Sequence, residues 1–146
     1  MKLSGDYTFA ADRQTVWDLL HDPDVIKSCI KGCESLDEIE PGRFRAEVVV
    51  GVAAVKGRYS GTVEISEKNE PESYRMTVSG QGRPGKIDAY GVISLRDDQS
   101  VTWLTFEGEV KTVGTLARVG SRLTSAAAKM LIGQFMKGIN GHLDPK

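Results

Sequence analysis

The chain has 146 residues, of which 40% are hydrophobic and 27% are charged, a composition typical of a soluble globular protein. Its formal net charge of -1 argues against a general nucleic-acid-binding protein, which would usually be strongly basic. The first residues, MKLSGDYTF, lack the apolar core of a signal peptide, and no stretch approaches the roughly 18 apolar residues of a transmembrane helix. We therefore expect one domain over residues 1–146, located in the cytoplasm.

The first thirty residues predict a strand followed by two short helices. Residues 2–10 alternate loosely between apolar and polar types and predict the strand. The stretch ADRQTVWDLLHD then has apolar residues at helical spacing. In the stretch DPDVIKSCI, Asp22 is a suitable N-cap and Pro23 occupies the first helical position, which predicts a second helix.

The middle of the chain predicts a run of antiparallel strands with one dry face and one wet face. The strands predicted by alternation cover residues 41–50, 55–65, 73–82, 86–95 and 101–110. The breaks between them, such as EPG, NEPES and RDDQS, have the residue types of turns. Because the strands are grouped and the helices are separate from them, we expect an α+β fold.

Residues 114–135, GTLARVGSRLTSAAAKMLIGQF, predict the longest helix of the chain and a thin one. The stretch contains three glycines and three consecutive alanines, although glycine costs roughly 1 kcal/mol relative to alanine within a helix. Apolar residues recur along one face, which we expect to cover the dry face of the sheet. They are Leu116, Val119, Leu123, Ala126, Ala127, Met130 and Leu131.

The predicted dry face of the sheet also lacks side chains. Its inward-facing glycines are Gly57, Gly61, Gly80, Gly82, Gly91 and Gly108. Either the glycines only provide bends and bulky residues fill the centre, or the thin helix and the thin sheet enclose a hollow. We favour the hollow, which would suit a long apolar ligand because its predicted lining holds no carboxylate pair and no histidine. The predicted lining is Tyr59, Gly61, Val63, Tyr74, Met76, Val78, Gly91, Ile93, Leu104, Phe106, Leu123, Ala127, Met130 and Leu131.

Three stretches resemble the CoxG family, which is named for the G subunit of carbon monoxide dehydrogenase: VWDLLHDPDVIKSCIKGCE, KGRYSGTVEI and VGTLARVGSRLTSAAAKMLIGQF. With the strand spacing between them, the resemblance covers nearly the whole chain. The order of elements is similar to the helix-grip fold of the START and Bet v 1-like (SRPBCC) superfamily. That resemblance implies a curved antiparallel sheet of about seven strands wrapped around a long C-terminal helix.

The resemblance also implies a function. Members of the family are accessory to molybdenum-containing carbon monoxide dehydrogenase and related hydroxylases, and other members have no known dehydrogenase partner. They are linked to placing the enzyme at the inner face of the cytoplasmic membrane and to moving a hydrophobic electron carrier such as a quinone. Some carry a C-terminal membrane anchor; none follows Lys146, so we expect peripheral contact at most.

Catalytic and metal-binding motifs are weak in this sequence. Cys29 and Cys33 supply two ligands where a structural zinc site takes four, so we expect unpaired thiols, no metal and no cofactor. No G-x-S-x-G, H-E-x-x-H or P-loop motif is present. Tyr59 and Tyr74, predicted to point inward, keep open a cyclase- or hydrolase-type enzyme that uses the same cavity, although they would also serve as its wall. A pure membrane-recruitment adaptor is a third hypothesis.

Basic residues recur on the predicted helix. Arg118, Arg122 and Lys129 lie on the side opposite its apolar stripe, and residues 114–146 contain five basic residues and one acidic residue. Such a stripe attracts anionic lipid headgroups by about 1 kcal/mol per residue near a surface. The alternative is a solvated helix face.

Two apolar features are expected at the surface. The stretch VVVGVAAVKG places Val52, Ala53 and Ala54 at a hairpin tip, which would either contact a bilayer or a partner, or fold over the mouth of the cavity. Trp103 is predicted to point outward beside Tyr90 of the neighbouring strand, as in an interface, unless the phase of that strand is reversed.

Overall fold

The computed structural model describes residues 1–143; Asp144 and Lys146, which enter the charge count above, lie outside the described residues. Two short 3-10 helices join regular elements, and we call them the tip turn (Ala53–Val55) and the linking turn (Gly114–Arg118). The regular elements are β1 (Lys2–Phe9), α1 (Arg13–His21), α2 (Pro23–Cys29), β2 (Cys33–Glu40), β3 (Arg43–Val50), β4 (Gly57–Asn69), β5 (Ser73–Gly82), β6 (Gly85–Asp98), β7 (Val101–Val113) and α3 (Ser121–Leu143).

Both short helices begin at an aspartate cap, and the cap of the second is the predicted Asp22. The Asp12 carboxylate accepts a hydrogen bond from the Thr15 amide at 3.3 Å and caps α1. The Asp22 carboxylate accepts from the Asp24 amide at 3.0 Å, and Pro23 follows it at the start of α2. These caps fix the residues at which the two helices begin.

The seven strands form one antiparallel sheet in the order β1-β7-β6-β5-β4-β3-β2. Its register places Gly61 of β4 opposite Gly80 of β5, and Gly91 of β6 opposite Gly108 of β7. The curved sheet, the two helices after β1 and the long last helix confirm the predicted α+β, helix-grip fold.

The inward glycines have two different roles. A Cβ atom at Gly61 or Gly108 would collide with a carbonyl oxygen of the adjacent strand, so these residues permit a close approach of backbones that bends the sheet. At Gly80, by contrast, a Cβ atom would meet nothing within 4 Å. Bends and free space therefore occur side by side on the inner face.

The predicted boundaries of the long helix are wrong at both ends. Gly120 has a φ of +94°, a left-handed conformation that favours glycine and interrupts the helix after the linking turn. The Gly120 carbonyl then accepts the Thr124 amide at 3.1 Å, which starts α3. The helix continues to Leu143, and Gly138 permits its close approach to α2: a Cβ atom there would lie 2.8 Å from Cys29 Sγ.

Buried apolar side chains form two clusters at opposite ends of the inner face. The main cluster joins α1, α2 and the second half of α3 to the sheet, and includes Trp17, Tyr74, Leu104 and Ile139. The end cluster consists of Val55, Tyr59, Leu116 and Ala127, with the tip turn packed against it.

Candidate ligand-binding hollow

Between the two clusters, the inner face of the sheet is only half-buried. We call this region, with the part of α3 that faces it, the central gap. Its predicted lining residues that remain half-buried are Gly61, Val63, Met76, Val78, Gly91, Phe106 and Leu131. Of these, Val63, Met76 and Phe106 also pack against the main cluster and border the gap on that side. The empty space at Gly80 lies among them, next to Gly61 and two residues from Val78. Uncharged, mostly apolar side chains thus border a space that the fold does not fill.

The backbone of α3 stands away from the middle of the sheet. Among the described residues, β1 is the strand that α3 approaches repeatedly, and its other close neighbours are α1, α2 and the tip turn. The strands β4, β5 and β6, which carry most of the glycines, are further away. The free space beyond Gly80 is therefore the observation that locates the central gap on the inner face of the sheet.

Other residues of the predicted lining lie inside the clusters. Tyr74, Ile93 and Leu104 are buried in the main cluster, whereas Tyr59 and Ala127 are buried in the end cluster. They form the two ends of the central gap rather than its floor.

The prediction that Leu123 and Met130 lie on the inward stripe of the helix is wrong. Their exposed fractions are 55% and 54%, and the buried residues of α3 are Thr124, Ala127, Met136 and Ile139. The buried side of α3 differs from the predicted apolar stripe because the second half of the helix packs against α1 and α2 and also lies above the sheet.

The two inward tyrosines have structural surroundings. The Tyr59 hydroxyl donates a hydrogen bond to the Val55 carbonyl at 2.6 Å, and burial raises its pKa. The Tyr74 ring meets the Trp17 ring edge-on at 5.3 Å between centroids, and burial raises the pKa of its hydroxyl far above the ordinary value. Both hydroxyls stay protonated at neutral pH, and no hydrogen bond among residues 1–143 gives either one a basic partner.

His21 packs against the main cluster, contrary to the expectation of an interior without histidine. Its ring stacks on Trp17 at 4.2 Å between centroids, and its Nδ1 donates to the Trp17 carbonyl at 2.8 Å. Its Nε2 is buried and has no hydrogen-bond partner in the part of the chain described, and burial lowers the pKa of the imidazole. The spacing of four residues from Trp17 on α1 was the available signal in the sequence.

The tip turn folds over one end of the central gap. Val55 is buried in the end cluster, and Val52 and Ala54 are half-buried against it. Of the three residues expected at the tip, Ala53 is exposed.

One face of α3 is exposed and amphipathic, and we call it the α3 outer face. It consists of Arg122, Leu123, Ala126, Lys129 and Met130, which lie on one side of a helix by their spacing. Arg118, in the linking turn, is also exposed.

The outer face of the sheet exposes aromatic residues, as predicted for Trp103. The exposed fraction of Trp103 is 39%, and the Arg96 guanidinium lies 5.9 Å from its ring centroid. Arg75 covers Tyr90 at 4.6 Å, and the Tyr90 hydroxyl donates to Glu109 at 3.2 Å. Arginines of the same sheet therefore cover part of this aromatic surface.

Cys29 and Cys33 are free thiols, and burial raises the pKa of both. Within residues 1–143, no three His, Cys, Asp or Glu side chains are grouped so that they could hold a metal ion. None of the helices described has the length and apolarity needed to cross a membrane.

Comparison with solved structures supports the START-like fold. A conserved protein from Geobacillus kaustophilus is similar with 34% identity and a TM-score of 0.94, over 97% of this chain and 94% of that chain. A START superfamily protein from Mycobacterium smegmatis has 13% identity and a TM-score of 0.75, over 97% and 95% of the two chains. Zhui aromatase/cyclase from Streptomyces sp. R1128 has 14% identity and a TM-score of 0.71, over 97% and 92%.

No curated protein sequence matches the chain. The profile of one family, CoxG (the G subunit of carbon monoxide dehydrogenase), matches residues 5–144. This match covers nearly the whole sequence and includes every helix and most of every strand of the helix-grip fold. The chain therefore belongs to the CoxG family.

Proposed function

We propose that the protein binds a quinone- or lipid-like molecule in the central gap and carries it between a membrane and a molybdenum hydroxylase of the carbon monoxide dehydrogenase type. Membership of the CoxG family supports an accessory role beside such an enzyme. The fold shared with a START superfamily protein supports the binding of a ligand between sheet and helix. The empty space at Gly80 is the observation that carries the proposal.

The central gap favours an apolar ligand over a charged one. Val63 and Val78 face each other across β4 and β5 beside the empty space, and both remain half-buried. Each 100 Å² of apolar surface that a ligand and these walls remove from water contributes about 2.5 kcal/mol. A ligand with a long hydrocarbon chain would bury several times that area between the sheet and α3.

Membrane contact is the second part of the proposal. The α3 outer face combines exposed apolar side chains, Leu123 and Met130, with the basic residues Arg122 and Lys129. Exposed Ala53 extends from the tip turn, which packs against Ala127 of the same helix. So small an apolar surface binds a bilayer weakly without assistance from charge, which suits reversible visits to a membrane.

The experiment that tests the proposal fills the empty space. Gly80→Leu places a side chain where nothing lies within 4 Å, whereas Gly141→Leu places the same side chain at an exposed site on α3 with equal free space. Protein purified from its own host is analysed by native mass spectrometry, and quinone binding to the stripped protein is measured by fluorescence quenching. We expect a retained apolar molecule in the wild type and the control, and loss of binding in Gly80→Leu with folding unchanged.

The other hypotheses give different results in the same experiment. Equal binding by Gly80→Leu and the control, or no apolar ligand in any preparation, contradicts the carrier and leaves the recruitment adaptor. Turnover of a bound molecule that is lost in Tyr59→Phe or Tyr74→Phe, with binding retained, supports the enzyme instead.

A further inference from the structure

The face of the sheet that points away from α3 exposes a patch of apolar side chains. Tyr90 and Val92 lie on β6 and Trp103 lies on the neighbouring β7, with exposed fractions of 42%, 44% and 39%. The arginines that lie against the two aromatic rings leave these fractions open to solvent. Clustered apolar side chains of this kind are typical of an interaction surface.

A groove runs beside this patch and gives the face a self-complementary shape. The groove has a volume of about 830 Å³ and follows the middle of β7. Tyr90 and Val92 of β6 form a ridge on one side of it, and Lys2 and Ser4 of β1 line the other side. A two-fold axis that runs between β6 and β7 would place the ridge of a second copy of the chain over this groove. The same axis places the ridge of the first copy in the groove of the second.

The charges of β6 and β7 also match under this axis. Each β6 residue would face, on the second copy, the β7 residue that is its neighbour in the antiparallel register. These facing pairs are Asp88 with Lys111, Tyr90 with Glu109, Val92 with Glu107, Ser94 with Thr105, and Arg96 with Trp103. They comprise opposite charges, a hydroxyl with a carboxylate, a cation with an aromatic ring, and two pairs in which like charges do not meet.

The strands on either side of β6 and β7 match in the same way. The axis brings β5 of one copy over β1 of the other. The register then places Thr77 opposite Lys2, Arg75 opposite Ser4, and Ser73 opposite Asp6. Like charges do not meet in these pairs either. Charge complementarity across four strands therefore favours a second copy of the chain as the molecule that covers this face.

The area of the face is sufficient for a stable pair. Four strands spaced about 4.8 Å apart, each contributing about ten residues that rise about 3.4 Å, cover roughly 650 Å² on each copy. Projecting side chains add to this flat area, and a stable interface buries about 800 Å² of accessible surface per partner. Sheets that pack face to face keep their strands within about 30° of each other, which an axis nearly parallel to the strands permits.

We propose that the protein forms a two-fold symmetric dimer through this face of the sheet. Tyr90 and Val92 of each copy occupy the groove of the other, and Asp88 of each copy pairs with Lys111 of the other. The central gap and the α3 outer face lie on the opposite side of each sheet and remain open in the dimer. The inference therefore goes beyond the carrier function and does not rest on it.

Sedimentation velocity at protein concentrations from about 1 µM to about 1 mM tests the dimer. We expect a mass that rises with concentration from that of one chain to that of two. Val92→Glu places a carboxylate opposite Glu107 of the second copy and should weaken the dimer about tenfold. Val49→Glu is the matched control, because Val49 is 39% exposed on β3, outside the patch, and should leave the dimer unchanged. Circular dichroism checks that both variants are folded.

An exchange of charges tests the position of the axis. Asp88→Lys faces Lys111 of the second copy, and Lys111→Asp faces Asp88, so each variant alone should dimerise about tenfold more weakly than the wild type. An equimolar mixture of the two variants restores both pairs of opposite charges, and native mass spectrometry should show the mixed dimer in excess over either homodimer.

Three results would overturn the proposal. A single chain at every concentration excludes the dimer and leaves this face to another protein. A dimer that Val92→Glu does not weaken is joined through another surface. A mixture of Asp88→Lys and Lys111→Asp without preference for the mixed dimer shows that these residues do not face each other.

Discussion

At the scale of single residues, His21 has an unusual position for a titratable group. Its Nδ1 must carry a proton because it donates to the Trp17 carbonyl, so a second proton would go to buried Nε2. No partner among residues 1–143 accepts a hydrogen bond from that atom. Burial lowers the pKa of His21 more than the hydrogen bond to Trp17 raises it. The native state therefore favours the neutral imidazole.

This position predicts a stability that depends on pH. The unfolded chain takes up a proton at the ordinary histidine pKa of about 6.5, whereas the native protein does so at a lower pH. The contribution is present above about pH 6.5 and is lost as the pH falls towards the native pKa. Urea unfolding of the wild type should show this loss, and His21→Phe, which keeps the ring stacking, should reduce it. The exposed control His142→Gln should lose as much stability at low pH as the wild type does. An equally large loss in His21→Phe would contradict this role.

At the scale of elements, the glycines of α3 have contrasting surroundings. A Cβ atom at Gly138 would lie 3.1 Å from the Cα atom of Cys29, and the backbone of α2 gives way less readily than a side chain. A Cβ atom at Gly141 would meet nothing within 4 Å. The close contact with α2 therefore explains why residue 138 is glycine. No such contact explains Gly141.

These two glycines form a matched pair of substitutions. Gly138→Ala should lower the free energy of unfolding by about 1–3 kcal/mol because it overpacks the contact between α2 and α3. Gly141→Ala should raise it by up to about 1 kcal/mol because alanine favours the helix. Thermal or urea unfolding followed by circular dichroism checks both. If both substitutions change the free energy of unfolding by the same amount and in the same direction, helix propensity, and not the contact with Cys29, determines their effect.

Much of the element order could be predicted from the sequence, because alternation and capping are local signals. The strand that contains Gly61 and Val63, and the helix capped by Asp22, have the predicted types. The start of α3 could not be predicted, because it depends on the left-handed backbone of Gly120. The outward position of Leu123 depends on how α3 packs against α1 and α2, which is a tertiary property that helical periodicity does not contain.

The α3 outer face leads to a prediction about membrane binding. Leu123→Ser with Met130→Ser should weaken binding to phosphatidylglycerol vesicles by about 2 kcal/mol, or roughly thirtyfold, because two half-exposed apolar side chains no longer enter the bilayer. Val92→Ser, an exposed apolar residue on the sheet, is the matched control and should have no effect. Vesicle sedimentation measures the binding.

The basic residues of the same face should act through charge. Arg122→Glu with Lys129→Glu should abolish the preference for anionic over neutral vesicles, and high salt should have the same effect on the wild type, since the Debye length is only about 3 Å at 1 M. Binding of the wild type that is insensitive to salt, or equal binding by the wild type and both double variants, would leave the α3 outer face as a solvated surface.

At the scale of the whole molecule, the central gap divides the interior into two regions of unequal size. The main cluster joins three helices to the sheet, whereas the end cluster rests on four buried residues, one each from the tip turn, β4, the linking turn and the first half of α3. Local stability follows the number of buried apolar contacts, so the end cluster should open more readily than the main cluster. An opening at this end would uncover the central gap without unfolding the rest of the sheet.

Leu116 is the residue with which to test this division. It is 1% exposed within the end cluster, and Leu116→Ala should cost about 2–5 kcal/mol, as large-to-small substitutions in a core do. Hydrogen exchange should then become faster in residues 53–55, 114–118 and the first half of α3, while β6 and β7 keep their protection. Leu104→Ala, at 0% exposure in the main cluster, should instead accelerate exchange throughout the molecule.

A bound apolar ligand that spans the central gap should restore slow exchange at the end cluster of Leu116→Ala. If Leu116→Ala accelerates exchange in β6 and β7 as much as in the tip turn, the interior unfolds as one unit and the ligand must enter by another route.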